Sequence, residues 1–311
     1  MEERLTVVLG PTASGKTRLA VRLAAHWGGE ILSADSRQIY KGMDIGTGKD
    51  LADYEYGGKK IPYHLIDIVK AGERYNVYRY LRDFFEAYAA VRARANVPIL
   101  CGGSGMYIEA VCRGFDMPEV PENRELRKAC EQLSHQALID RLKSCGPLHN
   151  TTDTQSRKRL IRAIEIAEYS KYHGGATQDA PAYLHRPKIT PRIIGLYLPV
   201  EERRARIDRR LEERLQNGMV EEAQRLMSEG LTAEDMIYYG LEYKFLALYL
   251  TGTLSFEEMK RQLQIAIHQF AKRQMTWFRG MERRGLKIHW VDAMGDDAKI
   301  VDELLNDYTS I

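Results

Sequence analysis

Leu5-Thr6-Val7-Val8-Leu9-Gly10-Pro11-Thr12-Ala13-Ser14-Gly15-Lys16-Thr17 sets a short apolar β-run directly before a G-x-x-x-x-G-K-T loop, and residues 18–27 continue with the apolar spacing of a helix. Strand, glycine-rich loop and helix in that order form a P-loop in its working context. The loop glycines let backbone N–H groups wrap a phosphate chain, the helix N-terminus adds positive potential, Lys16 brings a mobile cation, and the Thr17 hydroxyl is the usual magnesium ligand. The chain is therefore expected to bind a di- or triphosphate.

Working outward, Glu30-Ile31-Leu32-Ser33-Ala34 reads as a second strand, His64-Leu65-Ile66-Asp67-Ile68 as a third and Val97-Pro98-Ile99-Leu100-Cys101 as a fourth, with a helix over residues 77–94. Apolar strands alternating with helices predict an α/β fold, a P-loop NTPase-like parallel sheet flanked by helices, with its ligand at the carboxyl ends of the strands. After Gly114 the strand signal stops. Residues 118–172 are polar and helical in pattern, a Gly174-Gly175 loop and a stretch from Pro181 to Pro191 follow, and Arg192-Ile193-Ile194-Gly195-Leu196-Tyr197-Leu198 reads as one more strand. A strand returning after a helical excursion predicts a catalytic core made of residues 1–115 and 191–311, interrupted by a helical insertion at 116–190. From Val200 onward the pattern is helical, over 201–217, 220–229, 243–250 and 255–279.

At 311 residues the chain is long enough for such a core with an insert, and its net charge of +3 says little about partners by itself. No apolar run reaches the roughly 18 residues that span a bilayer, and Met1-Glu2-Glu3-Arg4 leads straight into the first strand, so a cytoplasmic protein without membrane attachment is expected. Cys101, Cys112, Cys130 and Cys145 lack metal-ligand spacing and read as reduced thiols, with no zinc site expected.

A P-loop enzyme commonly places an acid at a second strand end. The fourth strand opens into Gly102-Gly103-Ser104-Gly105-Met106-Tyr107 and carries none; the second delivers Asp35-Ser36-Arg37-Gln38, with Asp35 near Lys16 if the two strands are neighbours. Such an acid can complete a magnesium site, act as a general base beside the phosphates, or cap a helix. His64 and His268 are isolated and read as structural.

These blocks carry a resemblance. Gly10 through Thr17, Asp35-Ser36-Arg37-Gln38-Ile39-Tyr40-Lys41-Gly42-Met43-Asp44-Ile45-Gly46-Thr47, Gly102-Gly103-Ser104-Gly105-Met106-Tyr107, Arg159-Leu160-Ile161-Arg162-Ala163-Ile164-Glu165 and Gln269-Phe270-Ala271-Lys272-Arg273-Gln274-Met275-Thr276-Trp277-Phe278-Arg279 resemble, in order, the signatures of the bacterial tRNA dimethylallyltransferases. The resemblance implies transfer of a dimethylallyl group from its diphosphate to the exocyclic amine of the adenosine just 3′ of the anticodon, in tRNAs that read codons beginning with U. It implies that Gly10, Pro11, Thr12, Ala13, Ser14, Gly15, Lys16, Thr17 and Arg210 hold the diphosphate, that Asp35 is the general base, and that Mg²⁺ sits at Thr17. RNA contacts are implied for Asp35, Ser36, Arg37, Gln38 and Ser104 at the flipped base, and for Lys272, Arg273 and Arg279 on the late helix. In the insertion Arg157, Lys158, Arg159, Leu160, Ile161 and Arg162 are implied to grip the anticodon stem-loop, while Phe270, Trp277 and Phe278 read as core. The partners so implied are a tRNA and dimethylallyl diphosphate, acted on by a monomer.

The chain departs from the family pattern at three places. Ser104 stands where Thr is usual, Gly48-Lys49-Asp50 replaces Ala-Lys-Pro, and the late Gly-Tyr-Lys/Arg-Gln/Glu motif appears only approximately, as Tyr239-Gly240-Leu241-Glu242-Tyr243-Lys244-Phe245. Two other activities fit a P-loop with a strand-end acid: an adenylate isopentenyltransferase acting on free AMP, ADP or ATP, and a small-molecule kinase. A nonenzymatic RNA-binding switch is a third alternative. A free-nucleotide enzyme has no stem to grip, which speaks for tRNA through the insertion, and the Asp35 block speaks against a kinase or a switch.

Overall fold

A computed structural model describes residues 2–115, 120–146, 156–172 and 187–309. Two compact units emerge, one of residues Met1–Phe115 with Pro187–Ile311, the other of Asp116–Arg186. Residues 174–175 and 181–186, read above as a loop, lie outside the described residues.

In the first unit the elements run β1 (Glu2–Leu9), α1 (Lys16–Trp27), β2 (Gly29–Ala34), β3 (Tyr40–Lys41), a short 3-10 turn (Leu51–Tyr54), β4 (Glu55–Tyr56), β5 (Lys59–Lys60), β6 (Tyr63–His64), β7 (Val69–Lys70), α2 (Val77–Ala93), β8 (Val97–Gly102) and α3 (Gly105–Arg113). The second unit holds α4 (Arg124–Glu131), α5 (His135–Cys145) and α6 (Arg157–Tyr172). The first unit resumes with β9 (Lys188–Tyr197), α7 (Val200–Gln216), α8 (Met219–Ser228), α9 (Ala233–Tyr238), α10 (Leu241–Leu250), α11 (Phe256–Arg283), β10 (Ile288–Asp292) and α12 (Asp297–Thr309).

Six strands pair in the order β10-β9-β1-β8-β2-β6, all parallel. Leu5, Val7, Val8 and Leu9 of β1 are fully buried, as a central strand covered on both faces requires. Register sets Val8 opposite Cys101 on one side and Ile194 on the other, so the loop leaving β1 emerges at the carboxyl edge together with Asp35 after β2 and Gly103 after β8. Helix α1 ends at Gly28 in the left-handed conformation (φ 62), whose N–H returns to the Ala24 carbonyl, and α2 starts at Asn76, whose side chain accepts the Arg79 N–H.

Three expectations change. Strands β1 and β2 are not neighbours, because β8 lies between them. The third predicted strand shrinks to Tyr63–His64: Leu65 (φ 65) and Asp67 (φ 55) turn left-handed, so the apolar Leu65 and Ile66 are buried from a turn rather than from a ladder. The tail is not wholly helical, since β10 adds a sixth strand beside β9.

Near the edge of the sheet Glu30 is buried and accepts from Arg94 Nε and Nη2 (2.9 and 2.7 Å) and from the Asn96 amide (2.6 Å), with His64 Nε2 at 2.5 Å. His64 is thus structural, as is His268, whose Nε2 lies 2.7 Å from Asp208. The Arg94 guanidinium, working against burial and helped by Asn96 and His64, lowers the Glu30 carboxyl to about 2. A depressed carboxyl contributes stability that is complete above the ordinary value of 4.5 and is lost as pH falls toward about 2. Comparing melting temperatures of the protein and Glu30→Gln, we expect a gap at pH 6 that closes as pH drops through this window; a gap independent of pH would remove Glu30 from acid lability.

The second unit packs around Leu126, Cys130, Leu138, Leu160 and Ile164. Its polar centre is Glu165, which accepts the Asn123 N–H, both the Nε and Nη2 groups of Arg127, and Arg162 Nη1, each at 2.8 Å. Burial opposes ionisation of this carboxyl, but those donors outweigh it and hold it below its ordinary value.

Candidate active site

The P-loop, the two neighbouring strand ends and helices α7, α10 and α11 enclose a cleft of about 960 Å³. Thr12 through Thr17 form its floor, with Ala13 and Gly15 left-handed (φ 62 and 83), which turns successive N–H groups toward one concavity. Ser14 is buried, and its Oγ has no hydrogen-bond partner. An unsatisfied buried hydroxyl in an anion-binding loop marks a position that a ligand oxygen completes.

Lys16 enters from the first turn of α1. Burial pushes its ammonium below the ordinary lysine range; Cys101 and Asp35 oppose the shift, while Arg210 and Arg214 add to it. The Thr17 hydroxyl is within hydrogen-bond reach of the Cys101 thiol, which burial pushes up to about 12 and keeps protonated. Asp35 lies across β8 from the P-loop, yet its charge reaches Lys16. No helix starts at Asp35; instead its Oδ1 accepts the Arg37 N–H at 2.9 Å, leaving the carboxylate on the cleft wall.

The rest of the block is held in place by contacts that leave side chains on the cleft wall. Ser104 Oγ accepts the Ser36 N–H (2.9 Å) and donates to Ser36 Oγ (3.2 Å), so the serine that departs from the family pattern fixes the backbone next to Asp35. Arg37 reaches the Tyr238 carbonyl and Gln38 the Gly48 carbonyl, each at 2.9 Å. The Arg210 guanidinium is 2.5 Å from Asp50 Oδ2. Asp50 belongs to the altered 48–58 segment, which forms the 3-10 turn and then a β4–β5 hairpin closed by left-handed Gly57 and Gly58.

Several site residues were missed in the sequence. Gln274 accepts the Thr12 N–H through Oε1 and donates to the Gly103 carbonyl through Nε2, both at 2.9 Å, tying α11 to the P-loop and to the β8–α3 turn. Glu222 of α8 accepts the N–H groups of Asp44, Ile45 and Gly46 and the Tyr243 hydroxyl, and so holds the loop after Gln38. Nothing in the sequence around either residue signals a partner more than 170 positions away.

The late helix divides differently from expectation. Phe278 is core, but Phe270 is 39% exposed and lines the cleft together with Trp277. Trp277 packs against Gly105, where a Cβ would fall 2.3 Å from the indole, so only glycine admits the ring there. Arg273 also lines the cleft, whereas Lys272 and Arg279 are exposed outside it.

In the second unit, six residues were assigned to RNA. Leu160 is a correction: its side chain is fully buried in the core and has no surface to offer. Arg157 caps the end of α4, its Nη2 reaching the carbonyls of Cys130, Glu131 and Leu133 at 2.7–2.9 Å, and Arg162 bonds Glu165 and the Val120 carbonyl. Ile161 is half-buried against the core cluster, and Lys158 and Arg159 are exposed.

Known proteins resemble this chain over most of its length. The IPP transferase family matches residues 38–281 and the isopentenyl transferase family residues 3–63. The tRNA dimethylallyltransferase 1 of Porphyromonas gingivalis is 57% identical over 93% of this chain and 94% of its own length, and that of Parabacteroides distasonis is 57% identical over 93% and 92%. The crystal structure of the tRNA isopentenylpyrophosphate transferase of Bacillus halodurans superposes with a TM-score of 0.70 at 29% identity, over 100% of this chain and 96% of that one. With a family match over most of its length and relatives sharing more than half of its residues, this chain belongs to the family of tRNA dimethylallyltransferases.

Proposed function

We propose that the protein transfers a dimethylallyl group from dimethylallyl diphosphate to the exocyclic amine of the adenosine 3′ to the anticodon, in tRNAs reading codons that begin with U. The observation that carries the reading is one cleft with a phosphate cradle on one side of β8 and the Asp35 carboxylate on the other. The unsatisfied Ser14 hydroxyl and the cations Lys16 and Arg210 suit a diphosphate leaving group.

The adenine amine is a weak nucleophile, because its lone pair is delocalised into the ring. In the proposed step its nitrogen bonds to the first carbon of the allylic group while the carbon–oxygen bond breaks, pyrophosphate departs and the amine proton passes to Asp35. Lys16, Arg210 and the loop N–H groups stabilise the charge growing on the leaving oxygens. Asp35 prevents positive charge from building on nitrogen. Phe270 and Trp277 at the cleft wall offer faces on which an extruded base stacks.

A magnesium ion fits the donor chemistry: the Thr17 hydroxyl is a hard oxygen at the start of α1, and magnesium favours few protein oxygens together with water and substrate phosphates. When bound, it would neutralise diphosphate charge. The described residues contain no helix long and apolar enough to cross a membrane.

Incubating the protein with labelled dimethylallyl diphosphate, magnesium and either unmodified tRNA or AMP tests the reading. Label in tRNA at the predicted adenosine supports it; label in AMP moves the protein to the free-nucleotide class.

Within the second unit, Lys158 and Arg159 remain the candidates for stem phosphates. Replacing both by Gln is expected to weaken tRNA binding and to flatten the slope of log affinity against log salt by ~0.7–0.9 per contact. An unchanged slope would leave them as a solvated helix face. The same exchange at Arg157 and Arg162 is expected to lower the melting temperature, because buried acceptors lose their donors.

A further inference from the structure

Arg214 lies one helical turn beyond Arg210 on α7 and lines the same cleft. Its Nε is buried with no hydrogen-bond partner, whereas the Arg210 guanidinium has Asp50 at 2.5 Å. Burial and the neighbouring Arg210 push the Arg214 guanidinium down to about 10, with Glu242 and Asp50 opposing. Glu242 is the complementary case: burial pushes its carboxyl up and Arg214 opposes that shift. The charges of Arg210 and Arg214 both reach Lys16. Three cations therefore face one volume. A buried, incompletely bonded guanidinium beside like charges is costly, and an anion with several oxygens relieves that cost.

Space at Arg214 depends on Gly48. A Cβ there would lie 1.6 Å from Arg214 Nη2 and 2.7 Å from Arg210 Nη2, so a larger residue displaces the guanidinium. Gly48, where Ala is usual in the family pattern, thus leaves the volume that Arg214 occupies, and the charge of Glu242 on α10 reaches the same guanidinium.

We infer that Arg214 is a second α7 cation of the diphosphate subsite, standing one turn beyond Arg210. The inference rests on the proposed reaction, because it names the allylic diphosphate as the anion.

Steady-state kinetics and calorimetry with dimethylallyl diphosphate test it on the wild-type protein, Arg214→Gln and Arg214→Lys. Loss of a charge-assisted hydrogen bond is expected to raise the KM and Kd for the donor ~10–100-fold in Arg214→Gln, with tRNA KM and melting temperature unmoved. Arg214→Lys should recover most of the loss. A donor KM close to wild type in Arg214→Gln overturns the inference, as does a rise confined to the KM for tRNA, which would assign Arg214 to an RNA phosphate. If Arg214→Gln does not fold, phenylglyoxal labelling of the wild-type protein decides: pyrophosphate should protect Arg214, and equal labelling with and without it overturns the inference. Failure of the wild-type protein to bind either pyrophosphate or the donor sinks the reaction itself rather than this residue.

Discussion

Asp35→Asn is expected to lower kcat by ~10²–10⁴-fold while leaving the melting temperature and the affinities for donor and tRNA near their starting values. The isostere keeps the acceptor oxygen that receives the Arg37 N–H, so the turn after β2 survives. What disappears is the basic oxygen facing the cleft. The effect should fall on the chemical step, visible in single-turnover experiments with tRNA saturating. Near-normal turnover in this variant would mean that another group takes the amine proton, and Asp35 would revert to a turn residue.

Lys16→Ala is the second large expectation. Lys16 is the P-loop cation, its charge disfavoured by burial and by two arginines until an anion arrives. Removing it should weaken donor binding and reduce kcat together, the latter by ~10²–10³-fold, as for loss of a single donor to a developing oxyanion. Affinity for tRNA, measured by filter binding, should hold. A matching loss of tRNA affinity would place the P-loop on the RNA path or reveal a damaged fold; circular dichroism separates these two outcomes.

The parts of the fold legible in the sequence were those whose signal is local. Strand β1, the loop and α1 announce themselves through apolar periodicity and fixed glycines, and β2, β8 and β9 through apolar runs long enough to be central strands. Strand β10 was missed because Ile288–Asp292 is short, only partly buried and embedded in a helical tail. The third strand was overextended because Leu65 and Ile66 look like ladder residues but are buried from a left-handed turn. Strand order is invisible to periodicity, which is why β1 and β2 could be imagined as neighbours.

At the site, the P-loop and Asp35 were readable from motif chemistry, and Gln274, Glu222 and Arg214 were not. Their roles depend on partners contributed by distant helices, and a glutamine on an amphipathic helix has no pattern of its own. The run at 157–162 divides in a way that no motif shows: packing commits Leu160 to the core and Arg157 and Arg162 to carbonyls and a carboxylate, and leaves Lys158 and Arg159 exposed.

The interposition of β8 between β1 and β2 also constrains how this enzyme can diverge. The phosphate loop and the carboxylate hang from strands two ladder spacings apart, ~10 Å, a distance set by backbone hydrogen bonds that no side-chain exchange alters. Descendants with a longer allylic donor or a different acceptor base would therefore keep this span as an inherited ruler. Their novelty would accumulate where the walls are made of side chains, on α7, α10 and α11, and drift in substrate preference should be traceable there while the sheet stays silent.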